Sequence, residues 1–255
     1  MAADNGRAVA LVTGASGIAA ATARMFAGTG HDLVVLDRNA ANLESITQEI
    51  PSIVAVEADL CTPDAADAAV TTALDHFGRL DILVNIVGIS GRRFGDGPVH
   101  ECTDDGWEIV MKTNLDTTFR MCRAALKPMM AARRGSIVNI ASVLGYAPAG
   151  ALFATHAYAA SKGAIISLSR AMAAYYAAMR IRVNVVAPGL IATPMSVRAQ
   201  KDEATREYLR VRQPLTGDFG TAEDVAGAIE YLALERSSFV TGVVLEVSGG
   251  WSIAG

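Results

Sequence analysis

The chain has 255 residues, of which 51% are hydrophobic and 19% are charged. A chain of this length can bury about three quarters of its unfolded surface, so the composition excludes a disordered or fibrous protein and a small domain that depends on disulfides. The formal net charge of -4 argues against nucleic acid as a partner.

The cysteines and the apolar runs predict the compartment. Cys61, Cys102 and Cys122 lack CxxC spacing, which is typical of reduced thiols in a cytosol. The four histidines share no ligand spacing, so we expect no metal site. The N-terminal apolar run is too short for a signal peptide, and no run of about 18 apolar residues occurs. We therefore expect a cytoplasmic protein with no membrane partner.

Short β-branched runs alternate with alanine-rich segments along the whole chain. The predicted strands cover residues 8–12, 32–36, 53–57, 80–84, 136–140, 182–186 and 242–247. Their nearly continuous apolar character is typical of strands covered on both faces. The alternation predicts an α/β fold with a doubly wound, mostly parallel seven-stranded sheet and helices on both faces.

The stretch TGASGIAA, from Thr13, follows the first predicted strand and opens a helix. Gly14 and Gly17 would let the backbone approach a pyrophosphate, and the free N–H groups of the helix start would attract its charge. Ser16 and Ile18 belong to the same candidate nucleotide loop. Taken alone, the stretch also fits a plain turn between a strand and a helix.

Asp37 ends the second predicted strand, 20 residues after Gly17. A carboxylate at about this distance is placed to accept hydrogen bonds from the adenosine ribose diol and to repel a 2′-phosphate. The position therefore favours NAD. Arg38 keeps NADP open because a guanidinium can pair with that phosphate, although a solvated arginine is the simpler interpretation.

The sequence YAASK places Tyr158 and Lys162 four residues apart, on one face of a helix. Ser142 directly follows the fifth predicted strand, and Asn114 lies in the helical stretch MKTNLDTTF. A tyrosine base needs its pKa lowered by about three units, and an ammonium about 4 Å away supplies roughly that energy. Tyr158 is therefore the predicted acid/base for hydride transfer between an alcohol and nicotinamide.

Together these residues resemble the short-chain dehydrogenase/reductase family, from about Val9 to Gly250. The motifs that carry the resemblance are the glycine loop at 13–19, Asp37, Asp59-Leu60, Asn85 with Gly88, Asn114, Ser142, Tyr158 with Lys162, Pro188-Gly189 with Thr193, and SGG near the C-terminus. Each motif is common by itself, whereas the combination is specific.

The resemblance implies a single NAD(P)-binding Rossmann-fold domain over residues 1–255, with a substrate lid around residues 190–215. It implies that Ser142 hydrogen-bonds the reacting oxygen, that Asn114 holds a water that links Lys162 to solvent, and that Lys162 binds the nicotinamide ribose. The other cofactor contacts that it implies are at Thr13, Asp59 near the adenine, Leu60, Asn85, Gly88, Tyr158, Pro188, Gly189, Ile191, and Thr193 at the carboxamide.

Three features depart from the family pattern. The loop from Gly14 to Gly17 is one residue shorter than the usual T-G-x-x-x-G-x-G. The usual N-N-A-G is Asn85-Ile86-Val87-Gly88, which lacks the second amide. Ser142 and Tyr158 lie 16 positions apart, a few more than is common. The first departure concerns the pyrophosphate contacts, and none of them removes the acid/base group.

The sequence is interpreted as an NAD-dependent oxidoreductase that acts on a small-molecule secondary alcohol or ketone. A 3-oxoacyl-acyl-carrier-protein reductase is an alternative within the same family. A catalytically idle dinucleotide-binding sensor or scaffold is a second alternative, which the shortened loop favours and the complete catalytic set opposes.

Two apolar regions predict a homotetramer. The stretch Ala164–Met179 contains many alanines together with Tyr175 and Tyr176, more apolar surface than one sheet can cover. The final strand and the tail Trp251-Ser252-Ile253 form the second region. Members of the family that the chain resembles commonly pair through both.

Overall fold

The computed structural model describes residues 6–254, so residues 1–5 and 255 of the predicted domain lie outside the described part. Within that part, seven parallel strands form one sheet in the order β3-β2-β1-β4-β5-β6-β7. The strands are β1 Val9–Thr13, β2 Asp32–Asp37, β3 Val54–Glu57, β4 Ile82–Asn85, β5 Gly135–Ile140, β6 Ile181–Pro188 and β7 Val244–Val247. The predicted doubly wound fold is confirmed.

Helices connect the strands and cover both faces of the sheet. The α-helices between residues 6 and 254 are α1 Ile18–Gly28, α2 Ala40–Glu49, α3 Ala65–Phe77, α4 Asp104–Val110, α5 Thr117–Ala132, α6 His156–Tyr176, α7 Val197–Gln200, α8 Glu203–Arg212 and α9 Ala222–Ala233. A π-helical turn, Met111–Asp116, joins α4 to α5. None of the described helices is long and apolar enough to cross a membrane.

Most strands contribute residues to two cores, one on each face of the sheet, whereas the edge strand β3 packs only Val54 and Val56 against one of them. In β1, Val9 and Leu11 pack in the core that holds residues of α3 and α5, whereas Ala10 and Val12 pack in the core that holds residues of α1 and α9. Because both faces are buried, almost every strand position must be apolar. This double burial explains why the sequence shows continuous apolar runs rather than alternation.

The start of β7 differs from its predicted position. Gly242 and Val243 precede the strand, and Gly242 has a φ of 76°, which an extended strand does not accommodate. The neighbouring strand β6 extends beyond its predicted end at residue 186 and continues to Pro188, which pairs with Val247. Longer pairing here brings the Pro188-Gly189 segment to the carboxyl edge of the sheet.

The switch in strand order places the ligand crevice. The chain leaves the sheet at β3, beyond β2, and re-enters it at β4 on the other side of β1. The last residues of β1 and β4, Thr13 and Asn85, are therefore direct neighbours. Ligands of doubly wound sheets bind at such a switch point, beyond the carboxyl ends of the strands.

The C-terminal tail corrects one prediction. Trp251 is 1% exposed and packs edge-on against the rings of Phe153 and Tyr208. Its indole N–H donates to the carbonyl of Ala147 at 3.2 Å. The tail therefore does not present Trp251 as part of an exposed patch, because the chain's own loops bury it, and Ile253 alone of the three tail residues remains a large exposed apolar side chain.

Candidate active site

A cavity of about 420 Å³ opens at the carboxyl edge of the sheet, where the loops after six of its strands meet. A volume of this size is typical of a small-molecule or cofactor site. The predicted site residues that line it are Gly14, Ser16, Gly17, Ile18, Asp37, Arg38, Asp59, Leu60, Gly88, Ser142, Tyr158, Lys162, Pro188, Gly189, Ile191 and Thr193. The fold thus brings together residues that are as much as 179 positions apart, as Gly14 and Thr193 are.

Two predicted cofactor residues, Thr13 and Asn85, lie behind the cavity wall. The Thr13 hydroxyl accepts hydrogen bonds from the backbone N–H groups of Ile86 and Val87, at 2.9 and 3.2 Å. The Asn85 amide nitrogen donates to Asn139 Oδ1 at 2.8 Å, inside the core. Thr13 therefore shapes the loop after β4, Asn85 links β4 to β5, and neither side chain lines the cavity.

Asn114 is also buried and does not line the cavity. Its Oδ1 accepts from the Ile89 N–H at 2.8 Å, and its Nδ2 donates to the Ile89 carbonyl at 3.1 Å and to Ser161 Oγ at 3.0 Å. The side chain thereby joins the loop after β4 to α6. The water link through Asn114 stays a prediction.

The glycine loop has the geometry of a cradle. Gly14 and Gly17 have φ values of 94° and 53°, in the left-handed region that glycine adopts without strain. A Cβ at Gly17 would lie 3.2 Å from Thr193, across the cavity mouth. Gly17 is also the N-cap of α1 and offers no side-chain hydrogen bond to it. The positive end of α1 therefore points at the cavity without a capping side chain.

The Asp37 carboxylate closes the shortened loop. Its Oδ2 accepts from the Ala15 N–H at 2.8 Å and from Asn42 Nδ2 at 3.2 Å, and its Oδ1 accepts from the Asn39 N–H at 2.9 Å. These bonds hold a negative charge at the edge of the cavity. The exposed Arg38 side chain lines the same edge.

The predicted acid/base group lies among its expected partners. Tyr158 and Ser142 both line the cavity, and Ser142 Oγ accepts from the Leu144 N–H at 3.2 Å. Lys162 lies one helical turn further along α6, with Nζ 5.7 Å from the centre of the Tyr158 ring. The Lys162 ammonium donates to the carbonyl of Ile140 at 2.8 Å.

Burial is the largest cause of the pKa shifts of Tyr158 and Lys162, and it was missing from the pKa argument made from the sequence. Burial raises the pKa of Tyr158 by more than the neighbouring Ser142 side chain lowers it, so the phenol favours its protonated form. Burial also lowers the pKa of Lys162 to about 8. The predicted lowering of the Tyr158 pKa by Lys162 is wrong in this structure, because the argument left out the desolvation of both groups.

Two buried polar side chains near the site had not been singled out from the sequence. Gln213 Oε1 accepts from the Leu190 N–H at 2.5 Å, and its Nε2 donates to the carbonyls of Leu190 and Asp218 at 3.2 and 2.9 Å. Gln213 thereby fixes the loop after β6. Asp96 accepts two backbone hydrogen bonds at the start of α6. Neither residue belongs to a motif, so no local signal could have identified it.

Known proteins resemble the chain over nearly its whole length. A family model described as enoyl-(acyl carrier protein) reductase matches residues 12–252. Glucose 1-dehydrogenase 2 of Bacillus subtilis strain 168 is 37% identical over 251 residues, which cover 96% of this chain and 94% of that protein. The 3-oxoacyl-[acyl-carrier-protein] reductase of Thermotoga maritima is 36% identical over 248 residues, covering 95% and 96%. The crystal structure of levodione reductase matches with a TM-score of 0.89 at 30% identity, covering 96% and 97%.

Proposed function

The chain belongs to the short-chain dehydrogenase/reductase family and is an oxidoreductase of alcohols and ketones; we propose that it depends on NAD(H), with Tyr158 as the acid/base. The observation that carries the proposal is that Ser142, Tyr158 and Lys162 line the same cavity as the glycine loop. The substrate is a secondary alcohol or the corresponding ketone.

The residues present fit a nicotinamide dinucleotide. Gly14, Gly17 and the N-terminus of α1 would hold the pyrophosphate, since both glycines have left-handed φ values and the helix start has no capping side chain. Asp37 would accept hydrogen bonds from the adenosine ribose, for which its charge and its place at the end of β2 are suited. Lys162 would bind the nicotinamide ribose. When bound, the cofactor supplies the hydride or accepts it.

The protein's own part in the chemistry is to move a proton. Ser142 Oγ orients the substrate oxygen by a hydrogen bond, and Tyr158 Oη exchanges a proton with that oxygen. Because burial raises the pKa of Tyr158, the phenol is the stable form at neutral pH and is ready to protonate a carbonyl. In alcohol oxidation the same oxygen accepts the proton.

We assign the substrate lid to the segment after β6. This segment contains a 3₁₀ turn, Pro194–Ser196, followed by α7 and α8. The turn lines the cavity, and the Met195 side chain is exposed beside it. An apolar side chain held at the mouth of the cavity suits contact with the carbon skeleton of a substrate.

The test is a substrate panel offered with NAD(H) and, separately, with NADP(H). Polyols, hydroxy acids, steroids and acyl thioesters, each with its ketone, are followed by absorbance of the reduced nicotinamide. We expect turnover of at least one alcohol–ketone pair and a higher kcat/KM with NAD, because the Asp37 carboxylate repels a 2′-phosphate.

Three other results of these measurements would favour a different function or a different cofactor. Turnover of acyl thioesters alone would favour a 3-oxoacyl-acyl-carrier-protein reductase. Tight NADH binding in calorimetry without turnover of any pair would favour an idle sensor. A preference for NADP would mean that Arg38, and not Asp37, determines the choice of cofactor.

We further propose that the protein is a homotetramer. Tyr175 of α6 is 68% exposed and packs edge-on against Tyr176 with ring centres 4.9 Å apart. Phe239 and Ile253 are almost fully exposed near β7. Large apolar side chains in this number are costly to leave in water. Light scattering at micromolar concentration should give four times the chain mass, and a monomer would contradict the proposal.

A further inference from the structure

A buried carboxylate from a distant loop lies at the start of α6. Asp96 is 6% exposed, and its Oδ1 and Oδ2 accept hydrogen bonds from the N–H groups of Ala157 and Tyr158, both at 3.0 Å. The neighbouring carbonyl of Gly97 accepts from the His156 N–H at 3.1 Å. The loop therefore satisfies the first three N–H groups of the helix that carries Tyr158.

These bonds replace a cap that α6 itself lacks. Its N-cap residue, Thr155, makes no side-chain hydrogen bond to the helix. By contrast, α8 and α9 are capped by their own flanking residues, Asp202 and Thr221. A helix start with unsatisfied N–H groups frays, and a carboxylate there also interacts favourably with the helix dipole.

The loop is built closely around the carboxylate. Gly91 has a φ of 77°, and a Cβ there would lie 2.7 Å from Asp96 Cβ. The Asp96 N–H donates to the Gly91 carbonyl at 3.2 Å, which closes the turn. Further along, the Val99 N–H donates to His156 Nδ1 at 3.0 Å. The segment 96–99 is thus fastened to the first turn of α6 through Asp96, Gly97 and Val99.

We propose that Asp96 is a positioning residue that holds Tyr158 in its reactive geometry. Tyr158 is the third residue of α6 and lies in the turn that Asp96 caps, whereas Lys162 lies one turn deeper and donates to β5. Loss of the cap loosens the first turn without displacing the second. The inference rests on the proposed role of Tyr158. It assigns the positioning of the Tyr158 side chain to Asp96, which lies 62 positions earlier in the chain.

The experiment compares Asp96→Ala and Asp96→Asn with the wild type. A displacement of about 1 Å at a reacting group costs on the order of a hundredfold in rate, and we expect that loss in kcat for Asp96→Ala. Asp96→Asn keeps one acceptor oxygen and should lose roughly tenfold. The dissociation constant for NADH should change less than about threefold in both, because Lys162 and the glycine loop are untouched. In hydrogen exchange on the cofactor-free protein, the amides of residues 157–159 should exchange faster.

Thr221→Ala is the matched control, since it removes the side-chain cap of α9 and Thr221 does not line the cavity. It should lower the melting temperature to a similar extent and leave kcat and the exchange of residues 157–159 unchanged. Wild-type kcat in Asp96→Ala, or unchanged exchange in the first turn of α6, would overturn the inference. Retained activity in Tyr158→Phe would instead overturn the proposed function, and the exchange result would still report on the cap.

Discussion

Replacement of Tyr158 by phenylalanine should abolish turnover while leaving the fold and NADH binding nearly intact. The change removes one oxygen atom, which is the proposed proton donor and acceptor, and leaves the ring in place. General acid–base groups contribute about 10²–10⁴-fold to a rate, so kcat should fall by that factor. Steady-state kinetics on any working substrate, with NADH titration by fluorescence, measures both expectations.

Tyr146→Phe is the matched control for this variant. It removes the same atom from a tyrosine in the loop after Ser142, where the hydroxyl donates to Glu246 at 2.8 Å and does not line the cavity. We expect less than about a threefold change in kcat. If Tyr158→Phe keeps more than a tenth of the wild-type kcat, the lost barrier lowering is under about 1.4 kcal/mol, and Tyr158 is not the acid/base.

The sheet and its crevice could be predicted because they depend on local sequence. Continuous apolar runs specify strands buried on both faces, and parallel strands bring their carboxyl ends to one edge whatever the loops contain. The residues at or just after the ends of those strands, such as Gly14, Asp37 and Ser142, therefore meet at that edge of the sheet. Their side-chain partners were beyond this reasoning, as the Asp37 bond to the Ala15 N–H shows.

The predictions that were wrong, and the residue that was missed, share one cause, which is burial by parts of the chain that are distant in sequence. Trp251 looked like an exposed apolar tail residue, yet loops about a hundred positions away cover it. Asp96, between two glycines, reads as an ordinary turn residue until the fold places it under α6. The Coulomb argument for Tyr158 used a charge at an assumed distance and ignored the cost of removing both groups from water.

Because Lys162 is buried, its positive charge lowers the free energy of unfolding, and a variant without that charge can reveal the loss. Lys162 is 4% exposed, and burial lowers its pKa from 10.5 to about 8. Since a pKa unit corresponds to about 1.4 kcal/mol, keeping this lysine charged at pH 7 costs the folded protein about 3 kcal/mol. Such a cost is expected where a charge is retained for function rather than for folding.

Lys162→Met should therefore be more stable than the wild type at pH 7, while its kcat falls and its NADH binding weakens. Methionine fills a similar volume without a charge, but it leaves the Ile140 carbonyl without its donor, which costs about 1–3 kcal/mol. The net gain is on the order of 1 kcal/mol, or about 2–4 °C in Tm for a chain of this size. Urea unfolding of the cofactor-free proteins measures it.

The pH dependence gives the sharper test. Between about pH 8 and 10.5 the folded wild type holds a neutral Lys162 while the unfolded chain still binds the proton, so wild-type stability rises with pH relative to the variant. The advantage of Lys162→Met at pH 7 should thus disappear and reverse by pH 10.5, a relative change of about 3 kcal/mol. Lys127→Met is the control, because Lys127 is exposed and pairs with Asp67 at 2.7 Å. A difference between Lys162→Met and the wild type that stays constant from pH 7 to 10.5 would show that burial does not penalise the Lys162 charge.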